Sequence, residues 1–171
     1  MTCAARMRQP ADHRESMKPE RVGADEEGRE LYLLDVSRLD EVPDDLKLGS
    51  RYFSCLLALD ARSSTDDEVL NLARRLLLRG AVFVCTWGPD CERVHDLVDQ
   101  VDAELHPDAT EDSVVLTTGH SAEPLSEALW FLLNAVSPAE DFLEDCRAAL
   151  VITMGDSTWS SEVRGALSPP E

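Results

Sequence analysis

A cysteine, a histidine and an aspartate follow one another at four-residue spacing near the middle of the chain: Cys91, His95 and Asp99. Residues four apart share one face of a helix, and a cysteine in the first helical turn is favoured as a thiolate. Thiol, imidazole and carboxylate is the order that a nucleophilic triad requires. Cys91 and His95 are therefore candidate catalytic residues. The alternative is that Cys91 fills the core and His95 lies at its boundary.

The residue types alone also suggest two kinds of metal site, one for zinc and one for magnesium. Zinc takes cysteine and histidine ligands, but it favours close cysteine pairs, and here five residues separate the two nearest cysteines. Asp60 and Asp156 each follow a predicted strand, and paired carboxylates at that place can bind Mg²⁺, as they do in response-regulator receivers. A receiver also requires a lysine at the end of its last strand, and this chain has no lysine there. We predict no metal and no cofactor. The candidate zinc ligands are Cys85, Cys91, His95 and His120, with Asp90 as an oxygen ligand.

Polar residues and one tryptophan follow four predicted strands. Trp87 precedes a Gly-Pro turn, where an indole either walls a pocket or caps the core beneath the loop. His120 is the preferred general acid or base, because imidazole titrates near neutral pH; the alternative is a solvated loop histidine. The candidate ligand pocket consists of Asp60, Trp87, Asp90, Thr118, Asp156 and Ser157.

These residues depend on an alternation of apolar strands and amphipathic helices. The first helix of the regular part starts with a capping box, Thr65 to Glu68. Such alternation predicts right-handed βαβ units and an α/β fold: one doubly wound, three-layer domain with a mostly parallel sheet of about five strands, flavodoxin-like or Rossmann-like. Ligands of such sheets bind at the carboxyl edge, where all the pocket candidates would then lie. The predicted strands are 31–36, 53–59, 81–85, 114–117 and 148–154.

Domain boundaries follow from composition. Residues 1–28 are rich in charge, proline and glycine without periodicity, which predicts a disordered leader in which Met1 or Met17 starts translation. The α/β domain is predicted over 29–167 and a short tail over 168–171.

The charge restricts the partners. Thirty-four acidic against sixteen basic residues give a formal net charge of −18, which disfavours nucleic acid and anionic membranes. The five scattered cysteines are typical of reduced thiols, and no apolar run is long enough for a membrane span. We expect a soluble cytoplasmic protein with no nucleic-acid and no membrane partner.

One predicted helix, 122–136, is apolar on nearly all sides. Trp130 and Phe131 lie on opposite flanks of its apolar stripe, outside the face that covers the sheet. Residues of this kind are typical of an interface, so a protein partner or a homodimer is expected there.

Two segments carry a resemblance. Residues 86–91 (TWGPDC) with His95, and residues 116–120 (LTTGH) with 127–131 (EALWF), resemble a family of small bacterial proteins catalogued only as a domain of unknown function. The resemblance covers about residues 50–165. It implies a bacterial, cytoplasmic origin and no established activity.

The chain contains no phosphate-binding loop and no G-x-S-x-G hydrolase motif. The first hypothesis is therefore a small acidic module that acts by protein–protein interaction, regulatory or inhibitory. The alternative is a small-ligand-binding or hydrolytic enzyme with its site at the carboxyl edge of the sheet. A third hypothesis is mimicry of nucleic acid towards a basic protein.

Overall fold

The computed structural model, which describes residues 17–168, is built around one sheet. Its strands are β1 Glu20–Ala24, β2 Glu30–Asp35, β3 Tyr52–Leu59, β4 Ala81–Trp87, β5 Leu116–His120 and β6 Cys146–Met154. They lie in the order β1-β2-β6-β3-β4-β5. Strands β2 to β6 are parallel, whereas β1 pairs with β2 antiparallel.

Four α-helices pack on this sheet: α1 Asp66–Leu78, α2 Cys91–Leu105, α3 Leu125–Asn134 and α4 Ser157–Leu167. Helices α1 and α2, with the connection between β2 and β3, cover one face, and α3 and α4 cover the other. The fold is thus α/β, doubly wound and flavodoxin-like, as predicted. Among residues 17–168, no helix is both long and apolar enough to cross a membrane.

The central strands are apolar throughout because both of their faces are covered. In β3, Leu57 and Leu59 belong to the core under α1 and α2, and Leu56 and Ala58 to the core under α3 and α4. The predicted capping box begins α1: the Thr65 hydroxyl accepts from the Glu68 amide at 3.2 Å, and the Glu68 carboxylate accepts from the Thr65 amide at 2.8 Å.

The prediction of a disordered leader over 1–28 is wrong for residues 20–24, which form β1. This strand is short and mostly exposed, so it has none of the apolar alternation that marks a strand in a sequence. Its pairing with β2 and an ion pair from Glu20 to Arg164 of α4 hold it at the edge of the sheet. Residues 1–16 lie outside the described residues, as do 169–171 of the predicted tail.

Strand β5 also lies further along the chain than predicted. It was expected over 114–117 but runs from Leu116 to His120, so His120 lies in the strand instead of a loop. Alternate residues of β5 face opposite layers. Thr117 donates to Asp99 of α2 at 2.6 Å, whereas the His120 ring lies 4.8 Å from that of Phe131 in α3.

Candidate functional site

The carboxyl ends of the five parallel strands meet along one edge of the sheet. The Asp60 amide donates to Met154 at 2.7 Å and the Ala61 amide to Pro89 at 3.1 Å, which joins the ends of β3, β6 and β4. At two places, two neighbouring strands are followed by helices that pack on opposite faces of the sheet. The first place is between β3, which leads to α1, and β6, which leads to α4; the second is between β4, which leads to α2, and β5, which leads to α3. Ligand crevices of α/β sheets form where this happens. A cleft lies at each of the two places.

The first, the Asp60 cleft, lies beside the ends of β3 and β6 and has a volume of about 640 Å³. Asp60 accepts two hydrogen bonds from the Arg62 guanidinium, at 2.9 and 2.7 Å, and this lowers the pKa of its carboxyl. Ser157 also lines the cleft, whereas Asp156 caps α4 by accepting from the Thr158 amide at 2.8 Å, which lowers its pKa.

Both carboxylates therefore have partners within the protein, and the arrangement gives the magnesium hypothesis no support. The structure gives the zinc hypothesis no support either. Within residues 17–168, no group of three or more His, Cys, Asp or Glu is placed to hold a metal ion. Cys85 is fully buried in β4, where desolvation raises the pKa of its thiol to about 12.

The second, the tryptophan cleft, is lined by Trp87 of β4 and Trp159 of α4 and has a volume of about 630 Å³. The two rings meet edge to face, with centroids 4.9 Å apart and planes at 79°. The Trp87 Nε1 donates to the backbone oxygen of Glu123 at 2.8 Å. Trp87 thus combines the two roles predicted as alternatives, because it packs on the core under α3 and α4 and also walls a cleft.

Asp90 lines the tryptophan cleft, but its backbone and side chain both stabilise the turn before α2. It adopts a left-handed backbone conformation, φ +68°, and its carboxylate accepts from Arg93 at 2.7 Å. The same guanidinium donates to Asp66 and to the backbone oxygens of Ala61 and Ser64, at 2.6 to 3.0 Å. Arg93 therefore ties the turn to the start of α1.

The geometry does not assemble a cysteine triad. Cys91 is 2% exposed, and burial, followed by the nearby charge of Glu92, raises the pKa of its thiol. A nucleophile needs the opposite shift. Nδ1 of His95 lies 3.5 Å from Asp99, but no hydrogen bond joins Cys91 to His95 among the described residues. Cys91 is buried at the start of α2, where it also borders the tryptophan cleft.

His120 forms a network that the sequence analysis missed. Its Nε2 lies 3.1 Å from the Thr118 hydroxyl and its Nδ1 lies 3.0 Å from the Glu123 carboxylate. This hydroxyl–imidazole–carboxylate order is that of a catalytic relay. However, His120 is only 5% exposed, and neither it nor Thr118 lines the two edge clefts. The network ties β5 to the segment before α3.

Several lining residues of the tryptophan cleft were not predicted as site residues, among them Glu92, Glu123 and Trp159. Nothing local distinguishes Glu123 from the other acidic residues. Trp159 did carry a signal, because it comes five residues after the predicted strand 148–154, close to the carboxyl edge.

The two predicted interface residues have different surroundings. Trp130 is 59% exposed and borders an apolar groove of about 260 Å³ between α3 and α4. Phe131 instead packs towards the sheet, with its ring 4.8 Å from that of His120 and 6.3 Å from that of Phe83. Phe131 is partly buried and packs over the edge strand, so its exposed fraction is smaller than that of Trp130.

A comparison with protein families matches residues 31–170 to a family described as a domain of unknown function, DUF7684. No curated protein matches the chain. The match covers most of the chain and confirms the resemblance found in the sequence.

Proposed function

The chain belongs to the DUF7684 family of domains of unknown function, and we propose that it acts by binding a basic protein partner through Trp130. The observation that carries this proposal is the 59% exposure of that indole beside an apolar groove. Tryptophan is enriched among the residues that dominate the free energy of protein association. An interaction module of this kind would regulate or inhibit its partner.

The groove supplies the apolar centre that an interface needs. It lies between two helices and can take apolar side chains spaced along one face of a partner helix. Its lining residues come from both helices: Ser126, Leu129, Trp130, Leu133 and Asn134 of α3, and Glu162 and Ala166 of α4.

The rim of the groove supports a basic occupant. Glu127, one turn before Trp130, and Glu162 across the groove are both exposed carboxylates. The formal net charge of −18 extends the negative potential beyond them. A second copy of the chain would bring like charges together, which disfavours a homodimer at this surface. The favoured partner is therefore a different protein with a basic amphipathic helix.

A designed Leu/Lys amphipathic peptide tests this proposal, with a Leu/Glu peptide of the same pattern for comparison. We expect the basic peptide to bind and to shift the indole N–H signal of Trp130 in a ¹⁵N-labelled sample. Trp130→Ala should weaken binding about tenfold or more, as for an interface hot spot. The matched control is Leu78→Ala, since Leu78 is also exposed (66%) but lies on α1.

Equal binding of both peptides, or equal weakening by the two alanine variants, would contradict the proposal. Sedimentation of the protein alone adds a second test. If the protein self-associates and Trp130→Ala abolishes this, the occupant of the groove is a second copy of the chain and not a basic partner.

A second candidate function is small-ligand binding at the carboxyl edge, which the two edge clefts favour. Both clefts lie where ligands of doubly wound sheets bind, and both fall within the usual range of ligand pockets, about 300–1,000 Å³. The hydrolytic version has less support because Cys91 is buried with a raised pKa. This candidate predicts that a ligand perturbs Trp87 or Trp159 and leaves Trp130 unaffected.

A further inference from the structure

The tryptophan cleft has two preformed aromatic walls. Trp87 ends β4, and its indole is held by the hydrogen bond from Nε1 to the backbone of Glu123. Trp159 lies in the first turn of α4 and meets Trp87 edge to face. Both side chains are half-buried, so their positions are fixed while part of each ring still borders the cleft. Tryptophan is the side chain that interacts best with cations through its ring face.

The charge of the lining is negative. Three of its residues are acidic, namely Asp90, Glu92 and Glu123, and none of the described lining residues is basic. Asp90 is paired with Arg93, and Glu123 with the imidazole of His120. Glu92 accepts only from the Ser121 hydroxyl, at 3.1 Å, among the described contacts. A hydroxyl does not neutralise a carboxylate, so no described basic group offsets the charge of Glu92 at the cleft.

One feature opposes a cation, namely the N-terminus of α2 at Cys91. A helix N-terminus carries roughly half a positive charge and favours anions. Here Asp90 and Glu92 lie at that same end of the helix; Arg93 offsets the charge of Asp90, whereas no described basic side chain pairs with Glu92. The carboxylate of Glu92 outweighs the half charge of the helix dipole, and the cleft favours a positive ligand.

We propose that the tryptophan cleft binds a cationic nitrogen group, a protonated amine or a guanidinium, against the exposed ring surfaces of Trp87 and Trp159 and within reach of Glu92. The inference specifies the ligand class for the second candidate function and is independent of the partner at Trp130. A cleft of about 630 Å³ accepts a small amine or a single arginine side chain. The same chemistry can therefore come from a free metabolite or from a protein chain.

The three tryptophans of the chain give one NMR test with an internal control. We expect N-acetyl-L-arginine amide to shift the indole N–H signals of Trp87 and Trp159 saturably, and to leave that of Trp130 in place. The neutral N-acetyl-L-glutamine amide should shift none of them. The second part of the test uses putrescine. Saturable binding of putrescine supports a free amine as the natural ligand. Binding of the arginine amide without binding of putrescine supports an arginine side chain of a protein as the ligand.

Charge at the cleft is tested by Glu92→Gln, which should raise the Kd for the bound cation roughly two- to fivefold. Glu144→Gln is the matched control, because it removes the same charge from an exposed residue outside both the tryptophan cleft and the groove at Trp130. The inference fails if neither cation shifts the Trp87 and Trp159 signals, if the glutamine amide shifts them equally, or if both variants weaken binding alike. Each of these results leaves the binding of a basic helix at Trp130 untouched.

Discussion

At the scale of single residues, the turn between β4 and α2 depends on Gly88. Its φ is +104°, and a Cβ atom there would overlap the backbone oxygen of Leu59. The turn places Trp87 on one side and Asp90 on the other, so both the tryptophan cleft and the start of α2 require this glycine. Side-chain chemistry at the edge therefore rests on a backbone conformation that L-residues rarely adopt.

Gly88→Ala should lower the free energy of unfolding by roughly 2–4 kcal/mol, because strain at positive φ and overlap with Leu59 act together. The control is Gly28→Ala, where φ is +82° but a Cβ meets nothing within 4 Å. That variant should cost only about 1–2 kcal/mol. Urea denaturation of both variants checks the difference. Equal losses would mean that the contact with Leu59 adds nothing to the backbone strain.

At the scale of elements, the start of α1 is fixed by the reciprocal bonds of Thr65 and Glu68. Thr65→Ala should destabilise the protein by about 1 kcal/mol, since it leaves a first-turn amide without its acceptor. Thr65→Ser keeps the hydroxyl and should remain close to the wild type. Urea denaturation measures both. A serine variant as unstable as the alanine variant would show that the methyl group of Thr65, and not its cap, stabilises the helix.

The same element shows what a sequence can predict. The capping box and the apolar face of α1 are local patterns, and both are confirmed. Strand β1 was missed because only pairing with β2 stabilises it, and its own residues are mostly exposed. His120 was expected in a loop because polar threonines and a glycine mark a loop in isolation, whereas pairing of Trp87 with His120 extends β5. Contacts distant in sequence, such as that of Trp87 with Trp159, leave no local pattern.

At the scale of the whole molecule, the excess of acidic groups acts in two opposite ways on stability. Hydrogen bonds and nearby guanidinium groups lower the pKa of the half-buried Asp60 carboxyl and of the exposed Glu104 and Asp156 carboxyls. A pKa lowered on folding stabilises the fold above the unfolded pKa, and this contribution is lost as the pH falls through the folded pKa. Acid also removes part of the net charge of −18, which relieves repulsion in the compact state. A pH titration therefore mixes the two effects.

Salt separates them. At pH 7, added NaCl screens the repulsion among the excess carboxylates, while the exposed ion pairs that it also screens contribute at most about 1 kcal/mol each. We expect the Tm to rise by about 3 °C between 10 mM and 500 mM NaCl, which for a chain of this size corresponds to about 1 kcal/mol. Near the pI of about 4.4 the net charge is close to zero, so the same salt step should leave the Tm almost unchanged. A fall in Tm at pH 7 would show that specific ion pairs, such as those of Arg93 with Asp66 and Asp90, outweigh the general repulsion.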